Sequence, residues 1–130
     1  MYILSIKNSD TFDQIISGSK SVEVRKQSKY INCLKPNTFI MFKHQKNYCI
    51  KYITFIKIYD SLFQLLEHNI LLYINKNLTS ISNTLVYYEQ YYKNTEGKFY
   101  AVYLKWFMYI LEKQNYYNFV FIVNLINENK

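Results

Sequence analysis

The sequence predicts an α+β fold, in which helices flank a mixed sheet that curls on itself or closes into a small barrel. The predicted elements follow the order β-α-β-β-β-α-α-β, which is typical of such folds. The chain has 130 residues and 15.9 kDa, which is room for one core. Half of the residues are hydrophobic, and no internal repeat or flexible linker divides them.

The first strand and helix have recognisable boundaries. Tyr2–Ile6 is a short apolar stretch that predicts a strand. Asp10–Asp13 offers a capping side chain followed by an acid three residues later, which predicts the start of a helix. Gly18 stands where this helix would end, in the left-handed conformation that glycine tolerates best.

Three strands are predicted next. Ser21–Arg25 alternates polar and apolar residues, so its polar side chains should share one face. Lys35–Asn37 is a turn signal. Thr38–Lys43 and Tyr48–Ile58 are rich in β-branched and aromatic residues, which are typical of strands.

The following segment predicts two helices and a strand. Ser61–Gln64 has the form of a capping box and opens a helix through about His68. Asn75–Asn83 is predicted as a polar connection and Leu85–Lys93 as the second helix. Phe99–Trp106 is strongly apolar and predicts a strand.

Residues 107–130 form a C-terminal extension. Met108–Lys113 could be a helix, and Phe119–Ile126 a strand or a second short helix. The aromatic residues of the extension could add a strand, cover an open end of the sheet, or form a dimer or partner surface. We expect the extension to pack on the same domain.

The charge of the chain favours a polyanionic partner. The formal net charge is +7, and ten of the sixteen basic residues lie in residues 1–60, with four of the nine acids. A basic half suits nucleic acid or an anionic membrane surface. Asn, Ile, Lys, Tyr and Phe dominate the composition, however, and all five use A/T-rich codons. An A/T-rich genome, such as that of some viruses, therefore explains part of the lysine excess.

The sequence predicts an intracellular protein, cytoplasmic or nuclear. No apolar run reaches the roughly 18 residues that a membrane-spanning helix needs. The first residues lack the basic region and long apolar core of a signal peptide. Cys33 and Cys49 do not make a disulfide framework.

We expect no metal and no cofactor. The soft metal ligands Cys33, His44, Cys49 and His68 have spacings that match no zinc module. Neither the P-loop motif nor the dinucleotide-binding glycine motif occurs, which argues against the nucleotide-binding folds that use them.

Four segments together resemble the ASCH domain family of the PUA-like superfamily. Residues 15–25 contain G-x-K-x-x-E-x-R after an amphipathic helix, as the family signature does. Residues 34–42 are similar to its L-K-P-G-D segment, with Asn37 and Thr38 in place of Gly-Asp. Residues 59–67 are similar to its F-x-S-F-x-x-M-L helix, and residues 88–104 to the end of its pattern. The segments occur in the family's order across about residues 2–106.

This resemblance implies a fold, a boundary and a function. The fold would be a PUA-like small mixed β-barrel with flanking helices, spanning residues 1–106, with residues 107–130 as the extension. ASCH domains are thought to bind RNA, and some bacterial members hydrolyse a modified nucleoside. The resemblance thus implies RNA or a nucleoside as the partner, held in a cleft between barrel and helices.

The motif carries residues suited to that partner. Lys20 would leave the helix end near the cleft, while Glu23 and Arg25 would share one face of a strand. Glu23 could accept hydrogen bonds from base N–H groups, and Arg25, the only arginine, could contact phosphate or carbonyl oxygen in a bidentate manner. Ser21 follows Lys20 directly and is included in the candidate site. The alternative is an ordinary salt-bridge ladder on an edge strand.

The alternative function is a hydrolase, either an amidohydrolase or a nuclease, that acts on RNA or modified nucleosides. The amidohydrolases that remove the acetyl group of N4-acetylcytidine resemble the chain around the same loop and use a Lys, a Thr nucleophile and a Glu. Lys20 matches the lysine, but Glu23 occupies the threonine position. The third role would fall near Glu67, His68 or Asn69. Lys20 and Glu23 could still act as a general acid–base pair on water.

Further candidates lie outside the motif. Tyr92 belongs to a set of four tyrosines at helical spacing, of which one pair should face the core and the other could stack on bases. Tyr100 could line the cleft or be buried in a strand. Lys43 could extend a phosphate-contacting surface or lie on a solvated face. A third function, a protein-interaction module, would show an exposed apolar patch, expected on the extension, and no salt-dependent affinity for nucleic acid.

Overall fold

Five strands form one sheet in the order β1-β3-β4-β5-β2. The computed structural model describes residues 2–110, with side chains described as far as residue 105. The strands are β1 Tyr2–Ser5, β2 Val22–Lys26, β3 Thr38–His44, β4 Asn47–Tyr59 and β5 Phe99–Ile110. The helices are α1 Ser9–Ser17, α2 Leu62–Glu67, α3 Leu71–Ile74 and α4 Ile81–Glu89, with one 3-10 turn at Ile31–Cys33.

The sheet is mixed and curled into a half-barrel, which confirms the predicted α+β class. β1 runs parallel to β3, and the other three neighbouring pairs are antiparallel. The long strand β4 changes its register against β5 between Ile50 and Lys51 and again between Ile53 and Phe55. Such bulges bend a strand and increase its twist, so β4 can curve around the core. β1 and β2 are the two edges of this sheet.

Two apolar clusters pack the protein. The first lies between α1 and the sheet and includes Phe12, Ile15, Ile40, Phe42 and Ile53, none more than 2% exposed. The second joins β2 and β5 to the helices α2 and α4 through residues that include Val22, Val24, Leu65, Tyr88 and Phe99. Since neighbouring residues of a strand point to opposite faces, Glu23 and Arg25 lie on the face of β2 opposite Val22 and Val24.

Helix α1 has the predicted end but a different start. Gly18 has φ of 85° and its N–H donates to the carbonyl of Ile15, as predicted for a left-handed C-terminal residue. The cap at the other end is Asn8, whose side-chain oxygen accepts from the N–H of Thr11. The prediction that Asp10 begins the helix is therefore wrong by two residues.

Left-handed backbone also occurs where the ASCH pattern has glycine. Asn37 stands in the place of that glycine and has φ of 62°. Asparagine tolerates this conformation better than most residues, because its short polar side chain can form local hydrogen bonds. The left-handed residue in the turn before β3 is therefore an asparagine that tolerates this backbone.

The segment between α2 and β5 differs from the prediction. α4 begins at Ile81 and ends at Glu89, so its first turn falls within or beside the segment predicted as a polar connection. Ser80 caps it by accepting from the N–H of Asn83. The four-residue α3 was not predicted, because so short a helix has no periodic pattern. The two ends of α2 agree with the prediction, and Ser61 is its cap.

Strand β5 is longer than predicted. It runs to Ile110, so the first three residues of the segment predicted as helix, Met108–Lys113, belong to a strand paired with β4. The other expectations for the extension, including the element at Phe119–Ile126, lie outside the described residues. No helix among residues 2–110 is long and apolar enough to cross a membrane.

Candidate functional site

A cavity of about 290 Å³ lies between the two edges of the half-barrel. Residues at the end of β1 line one side, and β2 lines the other. Tyrosines of α4 and of the turn after it complete the lining. The lining residues are Ser5, Ile6, Lys7, Asn8, Thr11, Lys20, Glu23, Val24, Arg25, Ile74, Asn75, Tyr87, Tyr88, Tyr91 and Tyr92. The curl of the sheet thus creates the cavity by leaving its edges apart.

Lys20 is buried and held in place by the backbone. It follows the turn at Gly18, and its ammonium donates to the carbonyls of Ile74 at 2.8 Å and Val22 at 3.0 Å. The same nitrogen lies 3.6 Å from Oε1 of Glu23. Desolvation lowers the pKa of Lys20, while the nearby carboxylate opposes that effect. Lys20 therefore ties β2 to α3 and places a positive charge beside Glu23.

Glu23 has two carboxylate oxygens with opposite surroundings. Oε1 accepts from the N–H of Val24 at 3.0 Å and lies within 3.7 Å of both Lys20 Nζ and Arg25 Nε. Oε2 is buried and has no hydrogen-bond partner among the described residues. An unmet buried acceptor costs about 1–3 kcal/mol, and more when it is charged. Because Glu23 lines the cavity, a ligand N–H that reached Oε2 would satisfy this acceptor.

Arg25 lies at the edge of the cavity. Its side chain is 26% exposed, and its Nε faces Oε1 of Glu23. None of the hydrogen bonds described for residues 2–110 uses its Nη atoms, which remain available as donors. Because Glu23 and Arg25 are two residues apart on β2, the unpartnered Oε2 of Glu23 and the Nη donors of Arg25 belong to side chains on the same face of the strand.

Four tyrosines form the aromatic wall. The rings of Tyr88 and Tyr92 stack with centroids 6.5 Å apart, and Tyr92 packs edge-on against Phe99. The rings of Tyr87 and Tyr91 lie 5.2 Å apart, and Tyr91 is 55% exposed. The predicted division into a core-facing and an outer pair is observed only in part, because Tyr87 packs against the second apolar cluster as Tyr92 does, and all four residues line the cavity.

The charge of Glu23 affects the phenols around it. Burial is the main cause that raises the pKa of Tyr88 well above its ordinary value, and Glu23 raises it further. Burial and a hydrogen bond with Tyr91 raise the pKa of Tyr87 to about 12. These phenols therefore keep their protons at a pH where an ordinary tyrosine ionises.

Gln14 fixes the helices around the cavity. Its side chain is buried in α1 and donates to Asp10 Oδ2 at 3.0 Å and to Asn75 Oδ1 at 3.3 Å. Its side-chain oxygen accepts from the N–H of Lys76, and its carbonyl accepts from the N–H of Lys20. One glutamine therefore sets the positions of α1, of the residues after α3 and of the loop that carries Lys20.

The cavity contains four of the seven residues selected from the sequence. Lys20, Glu23, Arg25 and Tyr92 line it, whereas Ser21, Lys43 and Tyr100 do not. The backbone of Ser21 bonds with Tyr73 and Leu104 instead. Tyr100 is buried in the first apolar cluster, and its hydroxyl donates to Asn32.

Lys43 is exposed on β3, where its side chain lies over the ring of Tyr48. Its backbone carbonyl accepts from the N–H of Ile6, so it supports the cavity wall through the backbone alone. The third role of the hydrolase alternative has no residue in the cavity. His68 and Asn69 bond with residues of α2 and with tyrosines elsewhere, and neither they nor Glu67 line it.

Sequence reasoning missed the residues that come from distant segments. Lys7, Asn8 and Thr11 follow β1, and Asn75 follows α3. Their polar side chains carry no motif, and only the topology brings them beside β2. Within residues 2–110, no group of three His, Cys, Asp or Glu residues is placed to hold a metal ion.

Solved structures share this fold. The hypothetical protein PH0355 is 19% identical with a TM-score of 0.72, over 82% of this chain and 98% of that one. PF0455 from Pyrococcus furiosus is 20% identical with a TM-score of 0.66, over 83% of this chain and 98% of that one. An ASCH protein from Zymomonas mobilis is 20% identical with a TM-score of 0.58, over 79% of this chain and 65% of that one. No family model and no curated protein matches the sequence.

Proposed function

From the premise that the chain has the fold of an ASCH domain, we propose that it binds RNA or a nucleoside by taking one unpaired base into the cavity beside Glu23. The observation that carries the proposal is the buried Oε2 of Glu23, an acceptor without a partner among the described residues. Every base carries an N–H next to a ring or carbonyl acceptor. Oε2 of Glu23 and the Nη donors of Arg25 are complementary to such a pair.

The dimensions and walls of the cavity support a ligand of this size. About 290 Å³ is near the lower end of small-molecule sites, which suits a base or nucleoside. The tyrosines offer aromatic surface, on which bases stack with about 1–3 kcal/mol each. A base within a duplex could not enter, so an RNA ligand would present an unpaired nucleotide. The positive charge of the chain favours the phosphates of such a strand.

The three charged residues would have different roles. Lys20 gives its hydrogen bonds to two backbone carbonyls, so we assign it to positioning Glu23 rather than to contact with phosphate. Glu23 would accept from the base N–H. Arg25, which is partly exposed, would contact the neighbouring acceptor of the base or a phosphate at the cavity edge.

Glu23→Gln is the most informative variant, because its amide can adopt only one favourable orientation. The position of Oε1 is surrounded by donors from Val24, Lys20 and Arg25. The oxygen of the glutamine will therefore take that position, and its NH₂ will replace Oε2. The variant keeps the shape of the side chain but presents the ligand with donors in place of an acceptor.

We expect the parent to bind single-stranded RNA and at least one of adenosine, cytidine, guanosine and uridine. NMR titration measures the binding. Glu23→Gln should weaken nucleoside binding by about 10- to 100-fold, the value of a hydrogen bond to a charged group. The matched control is Glu67→Gln, which makes the same change outside the cavity and should bind as the parent does.

A ligand-side comparison tests the same hydrogen bond. Methylation at N3 of uridine removes its N–H donor, so 3-methyluridine should gain little from Glu23 and lose little in the variant. Equal affinity of the parent and Glu23→Gln for every nucleoside and for single-stranded RNA would contradict the proposal. Salt-insensitive binding, or equal binding of duplex RNA, would contradict the RNA form of it.

The hydrolase alternative depends on the same oxygen. Oε2 of Glu23 could accept a proton from water as a general base, although no threonine occupies the nucleophile position. N4-acetylcytidine and water would give cytidine and acetate, and Glu23→Gln should abolish that turnover while the control keeps it. Binding without turnover in the parent would leave the protein as a binding domain.

A further inference from the structure

A second cavity of about 270 Å³ adjoins the first. Asn8, Thr11, Asn75 and Tyr87 line both cavities, so one ligand can extend from the first into the second without leaving the surface. The other residues that line it are Asp10, Asn77, Leu78, Thr79 and Asn83. The two cavities differ in their chemistry.

Neutral polar side chains dominate the second cavity. Four asparagines and two threonines line it, and their amides and hydroxyls provide both donors and acceptors. The described lining contains no cation, in contrast to the lysines and arginine of the first cavity. A phosphate would find no counter-charge in this lining, whereas a group with several hydroxyls would find partners of both kinds.

Asp10 is the charged residue in this lining. Its Oδ2 accepts from Gln14 and from the side chain of Asn77, and its Oδ1 lies 3.6 Å from Lys76 Nζ in a largely exposed ion pair. A carboxylate has about four acceptor positions, so Oδ1 can accept one more hydrogen bond. In dinucleotide-binding folds, a carboxylate accepts hydrogen bonds from the ribose hydroxyls in the same way.

We propose that the second cavity is a ribose subsite, which binds the sugar of the nucleoside whose base lies beside Glu23. This proposal rests on the proposed function. The sugar hydroxyls would bond with the asparagine amides, the threonine hydroxyls and Asp10. The base would remain against the tyrosine wall, and Tyr87 would border both parts of the ligand. The site therefore selects nucleosides over free bases.

The variant Thr79→Val/Asn83→Ala removes two polar groups from this cavity without disturbing the Gln14 network. Both residues are exposed, and no hydrogen bond described for residues 2–110 uses either side chain. Alanine also favours helix at position 83 in α4. Ser82→Ala is the matched control, because Ser82 is exposed on the same helix and lines neither cavity.

The measurement is the ratio of dissociation constants between a base-only probe and its nucleoside. The probes are 1-methyluracil with uridine and 1-methylcytosine with cytidine, since the methyl group stands in for the glycosidic bond. We expect the nucleosides to bind about tenfold more tightly to the parent and about threefold or less to the double variant. Ser82→Ala should keep the parental ratio, and all three proteins should bind the base-only probes equally.

The outcomes separate this inference from the proposed function. Equal affinity of the parent for base and nucleoside would overturn the ribose subsite and leave base binding in the first cavity intact. An unchanged ratio in the double variant would also overturn it. Weaker binding of the base-only probes would overturn it too, because the substitutions would then act through the fold. Failure of the parent to bind any probe or RNA would refute the proposed function itself.

Discussion

The interior beneath α1 and the start of β2 are equally buried but are filled in different ways. In the interior, Phe42, Ile40 and Ile53 have no exposed surface and meet other apolar residues. At the start of β2, Lys20 and Glu23 are nearly as buried but contact polar groups. Lys20 pairs with Glu23 and donates to two carbonyls, and one oxygen of Glu23 has no partner among the described residues. Apolar side chains in the first region need only van der Waals contact. The charged groups in the second need hydrogen-bond and ion-pair partners in specific positions.

This difference separates stability from binding. An apolar interior gains free energy from every contact and specifies no ligand. A buried cluster of charges contributes little net stability, because desolvation offsets the attraction between its members. It does, however, hold an acceptor in a fixed place. Substitutions in the first region should therefore change the free energy of unfolding most, and substitutions in the second should change ligand affinity most.

Phe42→Ala should give the largest loss of stability. Truncation of a buried phenylalanine removes its apolar contacts and leaves a cavity, which costs about 3–5 kcal/mol. Urea denaturation measures the change in the free energy of unfolding. Phe55→Ala is the control, because Phe55 is 54% exposed and should lose much less.

A similar loss for Phe42→Ala and Phe55→Ala would show that the interior does not set the stability. At low temperature, where part of the Phe42→Ala protein stays folded, that folded fraction should bind ligands with the parental order of affinities. The substitution lies outside the cavity lining.

Lys20→Met should give an intermediate loss, about 2–4 kcal/mol, because it leaves the Glu23 carboxylate buried with the partly exposed Arg25 as its remaining counter-charge. The loss should be smaller by about 1 kcal/mol or more when Glu23 is already glutamine, since no buried charge then loses its partner. A double-mutant cycle of urea midpoints measures this coupling. Equal losses in both backgrounds would mean that Lys20 acts through its carbonyl bonds and packing alone.

Local patterns predicted most of the fold. The strand at β2, the cap at Ser61 and the left-handed Gly18 depend on neighbouring residues, so the sequence contains their signals. The start of α1 could not be read, because Asn8, Ser9 and Asp10 can all cap a helix and packing decides among them. α4 lacks the acid that would complete a capping box after Ser80, and its start was therefore placed too late.

The site was predictable only where it is local in sequence. Lys20, Glu23 and Arg25 lie within six residues, and the motif identified them together. Alternation alone would place Glu23 on a solvated face, but α4 and the end of β1 cover that side of β2. The fold brings Asn8, Thr11 and Asn75 to the cavity from distant parts of the chain. A short sequence pattern does not predict such long-range proximity. Tyr100, which was expected in the cleft or in a strand interior, is buried in the first apolar cluster.

Tyr88 lies where the second apolar cluster meets the cavity and gives the smallest effect at neutral pH. It packs in the second apolar cluster and also lines the cavity, and burial followed by the charge of Glu23 raises its pKa well above 10.0. Above pH 10 the unfolded chain loses this proton while the folded protein keeps it. The stabilising contribution is therefore complete below the unfolded pKa and is lost as pH rises toward the folded pKa.

Tyr88→Phe removes that linkage, so its free energy of unfolding should fall less steeply between about pH 10 and 11.5, by up to about 1.4 kcal/mol per pH unit. Tyr87 and Tyr103, whose pKa values burial raises to about 12, remain in both proteins and leave a residual slope. Burial of Lys20 lowers its pKa and acts in the opposite direction below 10.5, but this contribution cancels in the comparison. Tyr73→Phe, at an exposed position, should keep the parental slope. Equal slopes for the parent and Tyr88→Phe would show that the phenol is not enclosed between the second apolar cluster and the carboxylate of Glu23.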